Sequence, residues 1–382
     1  MVQTVIETRL MQKDHEKHDE NTTWPCVDYG CPMHPIEVDP VMKNNDNDNR
    51  ARAFLDASNR AHSFVAMMTR KSNRKNPPFN EDSAVALWPF RTAQTTHAND
   101  FLIGLFDGHG QHGHAMSQYA AREFPAILAR RFNEHRTEPN ANDDDWIRAA
   151  LNASFVETDA NAPPLQALLG GTTASVVLRR GSKLYLANAG DSRTIVVSAA
   201  PRKDAEIVYS TRLDKPHLEE ERRRIEGVGG KVTVHNEDPV ESYAWVDSEA
   251  EGRTAALAMS RSLGDWEWGG VGVTPEPIID VLDLRNLSEH AFVLAASDGM
   301  WDARPSPHFF ANVFAETYRQ GQDPLRQCYQ VIDEISLNNK TGYRDDITIV
   351  AAKLLGSKVA SSIDADTDKS VDGPRPKRSR AK

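Results

Sequence analysis

The sequence predicts an α+β domain in which antiparallel strands are layered against helices, and three features carry that prediction. Residues 172–198 (TTASVVLRRGSKLYLANAGDSRTIVVS) hold three β-rich segments separated by Arg180-Gly181 and Gly190-Asp191, the punctuation of an antiparallel meander and not of a βαβ crossover. Helical patterns are grouped beside the strands instead of alternating with them. Apolar runs of strand length recur along the chain and end in Gly or Asp turns.

Taken in order, FLIGLFDG (101–108) reads as a strand ending in a Gly-rich turn, and AMSQYAAREFPAILARRF (115–132) as a helix that Pro125 should kink. The meander follows. LEEERRRI (218–225) continues helically until Gly229-Gly230 stops it, and 305–338 gives two more helices separated by Gly321 and Pro324. AFVLAASDG (291–299) and ITIVAAKLL (347–355) are further apolar strands. The chain contains no internal repeat.

Composition narrows the function. The 382 residues are 39% hydrophobic and 26% charged, enough for a sizeable core, and 45 basic against 55 acidic side chains leave a net charge of −10. Such a surface repels a phosphate backbone, so nucleic acid is not the expected partner. Three cysteines cannot form a disulfide framework and suit a reducing compartment, cytoplasmic or nuclear. The charged opening stretch has no signal-like apolar run, and no later stretch is long enough to span a bilayer, so no membrane association is expected.

Residues 1–60 are polar and aperiodic and read as a disordered arm; 61–356 form the folded domain; 357–382 form a disordered tail ending in the basic cluster Lys377, Arg378, Arg380 and Lys382. That cluster has the composition of a nuclear-import address, or serves solubility alone. Cys26, Cys31 and His34 supply three of the four ligands a structural zinc needs, so unligated cysteines are expected.

The informative pattern is acidic. Asp107 follows IGLF, Asp191 follows LANAG, Asp298 follows FVLAAS, and Asp345 precedes ITIVAA. Strand ends hold side chains rigidly, and carboxylates gathered at one sheet edge repel unless cations neutralise them. Oxygen-only ligands point to magnesium or manganese, not zinc. The competing reading is that each Asp only closes a turn by bonding its own backbone.

FDGHG (106–110), GGTTA (170–174), NAGDSR (188–193), MSRSLGD (259–265), SDGMWD (297–302) and RDDIT (344–348) together resemble the ordered motif series of the metal-dependent protein phosphatase 2C (PPM) family of serine/threonine phosphatases. The resemblance implies an α-β-β-α sandwich, two antiparallel β-sheets packed face to face and flanked by helices. It implies that Asp107 bridges two Mn²⁺ or Mg²⁺ ions, that Gly108 binds one through its carbonyl, and that Asp298 and Asp345 complete the second. Glu81 and Asp82, in NEDS, match an acidic pair that holds metal-bound waters. Asp191 and Asp302 match the carboxylates of a possible third ion. His109 matches a proton donor to the leaving seryl or threonyl oxygen, and the attacking group is a hydroxide bridging the ions.

Departures from that series are local. An arginine that grips the substrate phosphate usually lies four residues before the glutamate; Pro77 stands there, leaving Arg74 or Lys75 as stand-ins. Gln111 replaces a glycine after DGHG, Asp214 replaces a histidine before Lys-Pro, and Asp346 stands where Asn is common. Residues 231–253 correspond to a flap beside the active site; it is acidic, which would favour basic phosphopeptides, and Trp245 is either a docking aromatic or core. The resulting expectation is a monomeric phosphatase acting on phosphoprotein substrates. The alternatives are a catalytically silent, phosphoprotein-binding family member or a convergent two-metal hydrolase.

Overall fold

The structure is a computed structural model that describes residues 5–7, 49–55, 63–72, 79–90, 92, 100–134, 144–201, 204–235, 241–248, 253–288, 290–304, 306–320, 324–338 and 345–354. Two antiparallel sheets form its centre. The first runs in the order Val5–Glu7, Asp82–Leu87, Phe101–Gly110, Ala174–Arg180, Lys183–Ala189, Ile278–Asp283. The second runs Glu206–Ser210, Arg193–Ser198, Phe292–Ala296, Ile347–Lys353, Ser63–Arg70, Asn49–Leu55. The first half of the predicted meander is realised as a hairpin, with Val176 opposite Ala187 and Leu178 opposite Tyr185, but the third segment, Arg193–Ser198, crosses after Gly190 to the second sheet and pairs there with Glu206–Ser210 and Phe292–Ala296.

Side-chain alternation explains the layering. Val65 and Met67 point into the space between the sheets, with Ile103, Leu105, Val177, Leu186 and Val293, while Ala66 and Met68 point the other way. The outer face of the second sheet is covered by helices Pro307–Arg319 and Pro324–Asn338, through Phe310, Phe314, Val331 and Ile332. The outer face of the first is covered by helices Gly113–Glu134 and Asp144–Ala160, through Phe124, Leu128, Leu151 and Phe155. The result is the four-layer α-β-β-α sandwich. Strands buried on both faces read as unbroken apolar runs, which is why FVLAA shows no polar alternation.

The predicted helix is present as Gly113–Glu134, with Pro125 buried inside it. Another detail differs from expectation. Within the arm expected to be disordered, Val5–Glu7 pairs with Asp82–Leu87, and Asn49–Leu55 extends the second sheet along Ser63–Arg70. The pattern NRARAFL alternates short apolar with basic residues, which suits an edge strand. Cys26, Cys31, His34, the tail cluster, Arg74, Lys75 and Pro77 lie outside the described residues.

A third, three-stranded sheet (Lys231–Val234, Ser242–Ser248, Arg253–Leu257) forms the flap and closes a small core of Ile225, Val232, Ala244, Leu257 and Trp268. Trp245 is not in that core. It sits half-buried between Lys231 and Ala256 in the ladder, with its indole N–H donating to the Thr233 hydroxyl at 2.7 Å.

Candidate active site

The strand Phe101–Gly110 carries the site, because its end is held from both sides. Asp82 faces Asp107 in the ladder, and beyond it Gly108, His109 and Gly110 pair with Thr172, Gly171 and Gly170. The Asp107 carbonyl accepts from the Thr173 N–H at 2.8 Å, and the Gly108 N–H donates to the Glu81 carbonyl at 3.1 Å. Gly108 admits no side chain: a Cβ would lie 2.3 Å from the Gly113 carbonyl oxygen. The approach of helix Gly113–Glu134 to the strand thus requires glycine there.

The acidic residues converge on Asp107. Burial, then the charges of Asp82, Asp298, Asp345 and Asp191, push its carboxyl well above the ordinary carboxylate range. Asp298 is raised likewise, by burial and by Asp191, Asp345, Asp302 and Asp82. Asp82 is pushed up to about 8 by burial and Asp346, although hydroxyls of Ser297 and Thr348 oppose the shift. Burial also raises Asp302, with Lys215 pulling the other way. Asp82 Oδ2 accepts from Ser297 at 2.8 Å, whereas its Oδ1 is buried with no partner among the described residues.

Asp345 and Asp346, adjacent in sequence, do different work. Asp345 joins the carboxylates around Asp107. Asp346 turns away and accepts the backbone N–H groups of Ser72 and Glu81, each at 2.6 Å, locking the second sheet to the acidic pair at 81–82. Gly299 lies against it, since a Cβ would sit 2.1 Å from the Asp346 carbonyl oxygen.

The donor set suits an oxygen-ligated divalent cation: carboxylates only, mutually repelling, with Asp82 Oδ1 buried and unsatisfied among the described residues. Among the described residues no three His, Cys, Asp or Glu side chains close around one ready-made ion position. Magnesium-type sites need no such cage, since they keep several waters and use one or two carboxylates. The residues that would hold such ions are Asp107, Asp298, Asp345, Asp82, Glu81 and the Gly108 carbonyl. Asp191 is engaged differently. Its Oδ2 accepts from the Lys215 ammonium at 2.6 Å, so a cationic side chain already answers the charge expected to help bind a third ion with Asp302.

The sequence reading missed Asp265, the last residue of MSRSLGD. It is 2% exposed, and its Oδ2 lies 2.6 Å from His109 Nε2. Burial would lower the His109 pKa, but the charge and hydrogen bond of Asp265, with Asp191 and Glu81 behind them, raise it overall. The signal was present: Leu-Gly-Asp ends the short strand Leu263–Gly264 as Gly-Asp ends LANAGD.

The same phrase is anchored from behind by a buried ion network. Glu221, on helix Glu219–Gly227, accepts from Arg212, Arg224, Arg261 and Ser260 at 2.7 to 3.1 Å. Asp214 joins it through Arg212 and also accepts the Gly190 N–H at 3.1 Å, a contact that requires an acceptor at this position. Burial pushes Asp214 up to about 6 against the pull of Arg212 and Arg261. For Glu221 burial is outweighed by Arg224, Arg261 and Ser260, and its carboxyl falls from 4.5 to about 2. Its contribution to stability is therefore complete above about pH 4.5 and is lost as pH falls toward 2. Glu221→Gln should cost about 3–5 kcal/mol by denaturant unfolding at pH 7, because it strands the buried Arg261 and takes a partner from the half-buried Arg212 and Arg224. That difference should shrink as the unfolding is repeated toward pH 2.

With this geometry in place, the chain can be compared with known proteins. Residues 67–341 match the protein phosphatase 2C family model. The Arabidopsis thaliana protein named Probable protein phosphatase 2C 72 is 28% identical over 277 residues, covering 71% of this chain and 80% of that protein. Probable protein phosphatase 2C 48 of Oryza sativa subsp. japonica is 30% identical over 260 residues, 63% of this chain and 70% of the relative. The crystal structure of serine-threonine phosphatase 2C from Toxoplasma gondii shares the fold at a TM-score of 0.59 and 18% identity, covering 76% of this chain and 94% of that one. The chain belongs to the protein phosphatase 2C (PPM) family, a family of metal-dependent serine/threonine phosphatases.

Proposed function

We propose that this chain is a catalytically active phosphatase that hydrolyses phosphoserine and phosphothreonine in proteins at the Asp107 cluster, with two Mn²⁺ or Mg²⁺ ions. The observation that carries the reading is the set of buried, mutually repelling carboxylates around Asp107, with Asp82 Oδ1 left unsatisfied among the described residues. Such a cluster is unstable on its own charges and becomes favourable with divalent cations in it. Bound there, the ions would neutralise phosphoryl oxygens and supply a water acidic enough to attack phosphorus near neutral pH.

The chain's own residues do the rest. Asp107, Asp298 and Asp345 fix the charge at one place; Glu81 and Asp82 orient water; His109 stands at the strand end as proton donor to the departing oxygen. Two ions are favoured over three because Lys215 already pairs with Asp191. Arg74 or Lys75 anchors the substrate phosphate, and the acidic flap, with Glu241 and Asp247 exposed, selects basic phosphopeptides. The protein acts as a monomer in the cytoplasm or nucleus. Among the described residues no helix is long and apolar enough to cross a membrane.

The test is release of phosphate from a phosphothreonine peptide by the purified chain with Mn²⁺ or Mg²⁺, with and without chelator. Metal-dependent release supports the reading; retention of the peptide without release refutes it in favour of a silent, phosphoprotein-binding role. In the same assay Arg74→Ala should raise KM about 10- to 100-fold with kcat little changed, as loss of a charge-assisted phosphate contact requires. An unchanged KM would pass the role to Lys75.

A further inference from the structure

Resting on the phosphatase reading above, we infer that Asp265 is a positioning residue for His109: it holds Nε2 so that Nδ1 is the atom that exchanges a proton with the leaving oxygen. The Nε2 to Oδ2 distance is 2.6 Å, and the same oxygen accepts the Ser262 hydroxyl, also at 2.6 Å. A carboxylate oxygen only accepts, so Nε2 carries its proton permanently in this arrangement. Nδ1 is buried and has no partner among the described residues. It is the one ring nitrogen left for chemistry.

Asp265 itself is built in on every side. It is a non-glycine residue with positive φ, 52°, a conformation the surroundings must enforce. Its N–H donates to the Gly170 carbonyl at 3.1 Å, and the preceding Gly264 N–H donates to Asp159 Oδ1 at 2.7 Å, from the end of helix Asp144–Ala160. Trp266 reaches the same Asp159 oxygen through its indole N–H at 3.3 Å. The carboxylate lies over Gly171, where a Cβ would meet Oδ2 at 2.1 Å, and Gly171 is the ladder partner of His109. Glycine in GGTTA therefore makes room for the contact, and the strained backbone aims it. This is the arrangement by which a buried carboxylate fixes the tautomer and orientation of a catalytic imidazole.

The step balances as ester hydrolysis. Water oxygen bonds to phosphorus as the bond from phosphorus to the seryl or threonyl oxygen breaks. The Nδ1 proton goes to that oxygen, giving the alcohol. One proton of the water stays on the released phosphate, and the other returns through solvent to Nδ1.

The test is a double-mutant cycle of Asp265→Asn and His109→Ala, assayed with Mn²⁺ on a phosphothreonine peptide and on p-nitrophenyl phosphate, whose leaving group needs no proton. In the wild-type background Asp265→Asn should lower kcat on the peptide about 10²- to 10³-fold and on the aryl ester less than about 10-fold. In the His109→Ala background it should change kcat by less than about twofold on either substrate, since a residue acting through His109 has nothing left to act on. Ser262→Ala, a milder change to the same oxygen, should show the same dependence on His109 with a smaller loss. Equal losses in both backgrounds, or equal losses on both esters, would overturn the inference and make Asp265 a structural residue. A wild-type protein inert toward both esters would overturn the phosphatase reading itself.

Discussion

Asp107→Asn is expected to lower turnover of a phosphothreonine peptide by at least about 10³-fold, more than 4 kcal/mol in the barrier, while leaving the fold intact or strengthening it. The two effects have one cause. Asp107 is the carboxylate on which the charges of Asp82, Asp298, Asp345 and Asp191 converge. Neutralising it removes repulsion from the metal-free protein, so in chelator the variant should unfold at higher denaturant than wild type, by about 1–3 kcal/mol. Adding Mn²⁺ should reverse the order, because an ion at 100 times its dissociation constant stabilises wild type by about 2.7 kcal/mol and the variant by less. The sign of the pH dependence follows. Asp82 is raised to about 8 in the fold, so the metal-free folded state binds more protons than the unfolded chain above pH 3.8. Stability in chelator should therefore fall as pH rises between those values, and Mn²⁺ should suppress the fall. Equal activity of Asp107→Asn and wild type would contradict the assignment.

His109→Ala is expected to slow peptide hydrolysis about 10²- to 10³-fold while p-nitrophenyl phosphate loses less than about 10-fold. Removing a proton donor hurts most where the departing oxygen is most basic. Its ring is held by Asp265 and by the strand end, and among the described residues its side-chain hydrogen bond goes to Asp265 and to no carboxylate of the Asp107 cluster, so Mn²⁺ affinity measured by calorimetry should stay near wild type. A uniform loss on both esters, with weakened Mn²⁺ binding, would instead make His109 a structural support for the ion site.

What the sequence reveals tracks how local the determinants are. The hairpin of Ala174–Arg180 and Lys183–Ala189 is readable because its turn, at Gly181, is written in adjacent residues and adopts positive φ; Gly190 has positive φ too but carries the chain across to the second sheet, a choice that local residues do not encode. The carboxylates are legible as a group because each stands near a strand terminus; that Asp82, Asp107 and Asp191 of the first sheet meet Asp298 and Asp345 of the second follows only from the packing of the two sheets. The flap sheet is not readable from periodicity: its strands are short, and its small core draws on Ile225 and Trp268 from helices on either side. The strand Asn49–Leu55 is hidden because polar neighbours dominate its composition, while its pairing depends on a partner edge supplied by Ser63–Arg70.

Charge pairing is the least legible layer. Asp265 and His109 are 156 positions apart, Arg261 and Glu221 are 40, and Lys215 and Asp191 are 24. No spacing rule links such residues; only the folded sheet order does. Asp346 shows the converse, since its neighbour Asp345 shares its residue type and yet a single step along the chain turns it from the carboxylates around Asp107 to two backbone N–H groups.

The central claim is that the carboxylates around Asp107 hold divalent ions that turnover requires, and calorimetric Mn²⁺ titration of wild type beside Asp107→Asn tests it most directly. Wild type should bind two ions per chain, with phosphopeptide hydrolysis saturating over the same Mn²⁺ range, and the variant should bind fewer and release no phosphate. Binding of the same number of ions by both proteins, with equal hydrolysis, would contradict it.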